Sequence, residues 1–384
     1  LAASLAAFQT AATNLPVSED QAIARYKLAD AQFQLTNYVG AVSNYNVVVE
    51  HYAGKGQSGE KLVEPALYQI VRASLAMNDL AAATNAVNKI LNWYPNGFET
   101  EKSLLLTGQG MALQKNTAGA RRLFAEFEQR YPKSSLLPKV WLAIARTYEQ
   151  EGLWKDAVHQ YGDWLNTYTN QHNPERALAE YYQAWANFQA GDETNALAEY
   201  GKYVSQFPTN SLAPSAQWWI GDYYFRQGDF VNAEKNYQLV FQKWPDSDLA
   251  YQARMMAGRS AVARQSYSDA IGYFTNLTSD LNCPADIKTK AIFAYGDSLM
   301  REDSPDATNK YANIEEAIRV FSKINQLNPT NTQAALAYGK IGNCYLQLAV
   351  QDPHQYDAAT NAYEQVLQIP GVGVAARSEA KVGL

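Results

Sequence analysis

Between residues 214 and 245 the apolar positions Trp218, Ile220, Tyr224 and Phe225 recur at intervals of three and four, stop at Gly228 and Asp229, and resume through Ala233, Tyr237, Val240 and Phe241. That spacing predicts a helix, a short turn and a second helix. Pro245 ends the second run, because proline has no N–H to give the ladder and clashes with the preceding turn. Ser247 and Asp248 follow with side-chain oxygens suited to capping the next helix. Helical periods of this kind run the length of the chain, and no segment of useful length alternates with the period of a strand.

The pair recurs. Aligned on the small residue of the second helix, the units fall at Ser4, Ala41, Ala83, Ala120, Ala157, Ala196, Ala233, Ala270, Ala317 and Ala359, so that five of the nine intervals are 37 residues. Four residues later stands a large apolar side chain: Phe8, Tyr45, Val87, Phe124, Tyr161, Tyr200, Tyr237, Phe274, Phe321 and Tyr363. Twelve residues after most markers comes a proline, at 16, 95, 132, 208, 245 and 329. The alanine lets two helices approach closely, the residue four on fills the space beside it on the same face, and the proline ends the helix.

This skeleton resembles the tetratricopeptide repeat family, whose two antiparallel helices carry Trp, Leu, Gly, Tyr, Ala, Phe, Ala and Pro at set places. The unit from 138 matches through Trp141, Ile144, Ala145, Tyr148, Ala157 and Tyr161, and departs at Trp164 and Thr169. The unit from 214 matches through Ile220, Gly221, Tyr224, Ala233, Tyr237 and Pro245, with Gln217 in place of the Trp. The resemblance implies an all-α, right-handed superhelical solenoid. It would be a single array over 1–384, with a half repeat at 1–15, repeats at about 22–57, 64–97, 101–134, 138–170, 177–210, 214–247, 251–284, 288–330 and 334–371, and a half repeat at 373–384. Ends that fall inside a repeat suggest an incomplete piece of something longer, since terminal repeats normally carry polar caps.

A period of 37 exceeds the family's usual ~34, and the surplus lies in linkers such as 132–145, 208–221 and 245–258, which share proline, a short capping pair, then leucine. Such linkers are similar to those of bacterial cell-envelope members, among them the outer-membrane β-barrel assembly lipoprotein and the coordinator of the Tol-Pal system. Those proteins hold partners, which implies a periplasmic or outer-membrane-associated scaffold. Three stretches break the spacing: 51–65, 301–313 and 351–359. They read as surface loops, the first of them mobile.

Composition narrows the chemistry. The net charge is −6 with both signs interspersed, so nothing supplies the basic patch that nucleic acid requires. Apolar residues nowhere run for the roughly 18 positions of a membrane span, and no leader sequence opens the chain at Leu1. His51, His159, His172 and His354 stand far apart without a metal-ligand spacing. Gly191–Asp192 and Gly228–Asp229 follow no strand, so they read as helix–helix turns rather than a phosphate loop. Cys283 and Cys344 sit a whole repeat apart, beyond disulfide reach. Neither an enzyme centre nor a cofactor or metal site is expected.

A partner site follows from the resemblance, which places positions two, five, nine, twelve and thirteen of each unit on the concave surface of first helices. These positions give Lys139, Leu142, Arg146, Glu149 and Gln150, then Leu178, Tyr181, Trp185, Phe188 and Gln189. The next units give Ser215, Trp218, Asp222, Phe225 and Arg226, then Gln252, Met255, Arg259, Val262 and Ala263. Tyr181, Trp185, Phe188, Trp218 and Phe225 make an aromatic stripe flanked by Arg146, Arg226 and Arg259, the mixture that interface hot spots favour. The partner expected there is a protein or peptide segment. A glycan, taken by a recruiting arm of a larger enzyme or export assembly, is the alternative. Burial of the same rings between adjacent helices is the competing structural role.

Overall fold

The computed structural model describes residues 2–54, 59–170, 173–306, 308–327 and 331–384. Among these residues lie twenty α-helices and one 3₁₀ turn, and no strand. The fold class is therefore all-α. The chain forms two compact units, 1–199 and 200–384.

The first unit opens with α1 (Ala2–Asn14) and continues in pairs: α2 (Glu19–Gln34) with α3 (Tyr38–Tyr52), α4 (Val63–Ala76) with α5 (Leu80–Trp93), α6 (Thr100–Leu113) with α7 (Thr117–Arg130), and α8 (Leu137–Glu151) with α9 (Trp154–Thr167). Then come α10 (Arg176–Gln189) and α11 (Glu193–Gln206), inside which the division between the units falls. Through α10 each helix packs on the next in sequence, and first helices of successive pairs also touch, α4 on α6 and α6 on α8. In the second unit the elements are α12 (Ala213–Arg226), α13 (Phe230–Lys243), α14 (Ala250–Ala263), α15 (Tyr267–Ser279), α16 (Ala285–Leu299), α17 (Ala312–Leu327), α18 (Thr332–Ala349), α19 (Gln355–Gln368) and α20 (Val374–Gly383), again packed in order.

The alanine and the residue four positions on explain the packing. From Ala41 to Ala359 every marker is buried, and so is each large side chain from Tyr45 to Tyr363. Residues i and i+4 share one helix face, so the pair forms a small step beside a bulky one, and the first helix fits over both. Where approach is closest the first helix carries glycine. A Cβ at Gly258 would stand 2.5 Å from the Phe274 ring, and one at Gly221 would stand 2.9 Å from Tyr237. Ser4 departs from the register: it is exposed, and α1 instead packs on α2 through Ala12, with Leu5, Phe8 and Ala11.

The turns inside the pairs share one conformation. Thr36, Asn78, Lys115, Gly152, Gly191, Gly228 and Gln265 all have φ between 60° and 87°. The next residue usually caps the second helix: Asn37, Asp79, Asn116, Asp192 and Asp229 each accept a hydrogen bond from the backbone N–H three residues on. Helix ends are equally uniform. α1, α5, α7, α11 and α13 stop two residues before Pro16, Pro95, Pro132, Pro208 and Pro245, because a residue preceding proline is pushed out of the helical region. Pro329 lies outside the described residues.

Aromatic side chains reach from one linker to the one before. In the first unit the Tyr131 hydroxyl donates to the Pro95 carbonyl at 2.5 Å, and in the second the Trp244 indole donates to Pro208 at 2.7 Å. Trp164, which departs from the family pattern, donates to Pro138 at 2.8 Å. Ser247 does not cap a helix: its Oγ accepts from the Leu249 N–H in the turn before α14, and Asp248 makes no cap. The 51–65 stretch is less open than its composition implies, since Glu60–Leu62 is a 3₁₀ turn and α4 begins at Val63; residues 55–58 lie outside the described set. The 301–313 insertion, described except at 307, is tied by the Asn313 side chain to the Glu302 carbonyl at 2.9 Å and by Ser304 to the Asn309 carbonyl at 2.7 Å.

Candidate functional site

In the first unit, α6, α8 and α10 together line a groove of about 440 Å³. On α8 the residues Lys139, Leu142, Arg146 and Gln150 stand three or four apart and so share a face, and all four border the groove. Leu113 and Leu178 complete the apolar part of the lining, 79% and 36% exposed respectively. Leu113 is position thirteen of the unit from 101, one unit ahead of the groove candidates. The rim is cationic but braced. Arg146 lies over the Tyr182 ring at 4.2 Å, and the Lys139 ammonium is 3.6 Å from Glu175.

Other expected residues of this unit do not line the groove. Glu149 accepts a hydrogen bond from the Tyr161 hydroxyl on α9 at 2.9 Å, and burial pushes its carboxyl above the usual range against the pull of Tyr161 and Arg146. Tyr181 meets Tyr182 edge-on at 5.3 Å, Trp185 packs on Phe188 at 5.6 Å, and all three expected rings are half-buried outside the groove lining.

The second unit has its own cavity, of about 230 Å³. Phe225, Arg259, Val262 and Ala263 line it together with Phe274, Asp297 and Arg301. Arg301 and Asp297 fall outside the positions mapped from sequence, and their signal is only their place on the next first helix, or just past its end. Trp218 does not line it; its half-buried ring packs on Tyr237 at 5.0 Å, against the core cluster. Asp222 holds Arg226 at 3.2 Å and faces the Tyr237 hydroxyl, whose pKa is raised first by burial and then by that carboxylate. Met255 packs half-buried against the cluster around Ala261 and Phe274.

Sequence models described as tetratricopeptide repeat match residues 23–54, 102–134, 142–211 and 221–279, together just over half of the chain. The chain belongs to the tetratricopeptide repeat family. Solved structures similar to it include the C-terminal part of a TPR repeat-containing protein from Cytophaga hutchinsonii, at 15% identity over 72% of this chain and 98% of that one, with a TM-score of 0.50. Others are a tetratricopeptide repeat protein from Parabacteroides merdae (13% identity, 74% and 98% covered, TM-score 0.40) and PilF of Pseudomonas aeruginosa (13%, 61% and 98%, TM-score 0.42). At such identities the likeness to the Cytophaga protein speaks to the fold alone. None of the curated proteins matches this chain.

Tetratricopeptide repeats generally mediate protein–protein interaction. Among the described residues of this repeat protein no three His, Cys, Asp or Glu side chains gather as a metal site, and no helix is long and apolar enough to cross a membrane. His159 pairs with Asp163 on its own helix at 2.9 Å, and His172 lies outside the described residues. Cys283 and Cys344 are both free and buried, in separate clusters.

Proposed function

We propose that this chain is a non-enzymatic scaffold of the bacterial cell envelope that holds segments of partner proteins against its first helices. The observation that carries the reading is the groove on α6, α8 and α10. Its lining leaves Leu113 79% exposed at the end of α6, near Arg146 and the Lys139–Glu175 pair. A large apolar side chain so exposed on a concave face gains free energy when a partner covers it, at about 25 cal/mol per Å². Arg146 and Lys139 then favour acidic residues flanking the apolar anchor. The envelope assignment rests on the 37-residue period and its linkers.

A photoreactive amino acid placed at Leu113 tests contact directly. Irradiation of cells expressing the whole gene should give defined crosslinked proteins, lost when Leu142→Asp and Arg146→Glu are added. A folded protein that crosslinks to nothing from position 113 would remove the groove from the reading. Cell fractionation tests the location separately, and recovery in the cytoplasm would remove the envelope while leaving the scaffold.

A further inference from the structure

A different cleft lies in the second unit, on α17, α18 and α19. Its volume is about 580 Å³, inside the roughly 300–1,000 Å³ range of small-ligand sites. Tyr338 and Tyr345 form part of its floor. They stand seven residues apart on α18, which places both positions on one face about 10 Å apart along the helix axis, the span from the first to the third ring of a linked pyranose chain. Asn325 and Gln326 border it from α17, Asn361 and Gln365 from α19. None of the described residues that line it carries a charge, in a chain that is 18% charged.

One of these amides is unmatched. The Asn325 Oδ1 atom is buried and meets no donor. A buried acceptor without a partner weakens the fold, so leucine would serve packing better at this position. Rotation about χ2, a soft torsion, turns either end of the amide toward the cleft.

The lining selects its ligand by exclusion and by fit. Phosphate or an acidic peptide would find no cation here, a basic segment no carboxylate, and an apolar helix would leave the amides unpaired. Neutral amides both donate and accept, as sugar hydroxyls and acetamido groups do, and ring faces accommodate the C–H faces of a pyranose. We propose that this cleft binds a neutral oligosaccharide, laid across Tyr338 and Tyr345 and held by the amides of Asn325, Asn361 and Gln365.

The test uses the full chain with maltotriose and the trimer of N-acetylglucosamine, read by saturation-transfer NMR and titration calorimetry. An uncharged Gly/Ser/Asn/Gln hexapeptide, capped at both ends, serves as the competing ligand. At least one trisaccharide should bind, and Asn361→Leu and Gln365→Leu, both at exposed positions, should each weaken it about fivefold. Asn325→Leu should abolish sugar binding and raise Tm, the pair of effects expected of a group retained for a ligand. The proposal is overturned if neither sugar binds, if the peptide binds better than both, or if Asn325→Leu leaves sugar binding intact.

Discussion

Thr36, Asn78, Lys115 and Gln265 hold the left-handed conformation that Gly152, Gly191 and Gly228 hold elsewhere. An L side chain there brings Cβ against the following carbonyl, at roughly 1–2 kcal/mol, and β-branching makes it worse. Thr36→Gly should therefore stabilise the protein by about 0.5–1 kcal/mol even after the added entropy of glycine in the unfolded chain. Asn78→Gly should gain less, because asparagine tolerates this region; equal gains in urea melts would point away from side-chain strain. The marker alanines make the opposite case. Ala233 is fully buried, so Ala233→Leu overpacks the helix pair by about 1–3 kcal/mol, whereas Asn232→Leu, exposed one residue earlier, should cost little. Similar losses from the two would mean that the shared face has been misplaced.

At the scale of elements, linker hydrogen bonds join one pair to the next. The linker bonds from Tyr131 to Pro95 and from Trp244 to Pro208 tie together the C-terminal ends of successive second helices. Tyr131→Phe keeps the ring and removes the bond, and should cost about 1 kcal/mol in denaturant unfolding. Within the α8–α9 pair the buried Glu149 carboxyl sets a pH dependence. Its pKa is raised in the folded state, so the folded chain holds the proton more tightly than the unfolded one. That contribution is complete below the unfolded value, near 4.5, and is lost as pH rises through the folded value. Glu149→Gln should raise Tm at pH 7 and lose that advantage at pH 4. A gain of the same size at both pH values would leave burial of the charge without effect.

For the whole molecule, stability should add up from local terms and neighbour interfaces. Tyr200 belongs to the second unit and packs on Trp219 at 4.8 Å. A fragment 192–384 that keeps α11 should melt above a fragment 209–384 that lacks it, and both should be helical by circular dichroism. Identical melting temperatures would make α11 dispensable to this unit. The cysteines report the same unit from within. Burial pushes the Cys344 thiol up to about 12, and raises Cys283 as well. Little thiolate exists near neutral pH, so labelling should be slow in water and accelerate with denaturant. Fast labelling of the folded chain would show that these clusters open readily.

The sequence by itself determined the helices, their pairing and, from Ala41 onward, which face of each second helix is buried. A side chain repeating four residues after a small one sees the same neighbour in every unit, so local periodicity carries the information. Of the first-helix positions that the family resemblance singled out, Arg146 and Leu142 border the groove on α6, α8 and α10, and Phe225 and Arg259 border the 230 Å³ cavity. The tertiary structure decided which of the remaining candidates face a cavity. Trp218 and Glu149 occupy positions equivalent to groove residues, yet each meets a tyrosine on the second helix of its own pair. It alone brought Asn325, Tyr345 and Asn361 to one cleft, since these residues come from three helices joined by linkers of uneven length. Periodicity fixes the direction of a side chain about its own helix, whereas a cleft depends on how far neighbouring helices stand apart, and that distance is set by the summed packing of side chains from all of them.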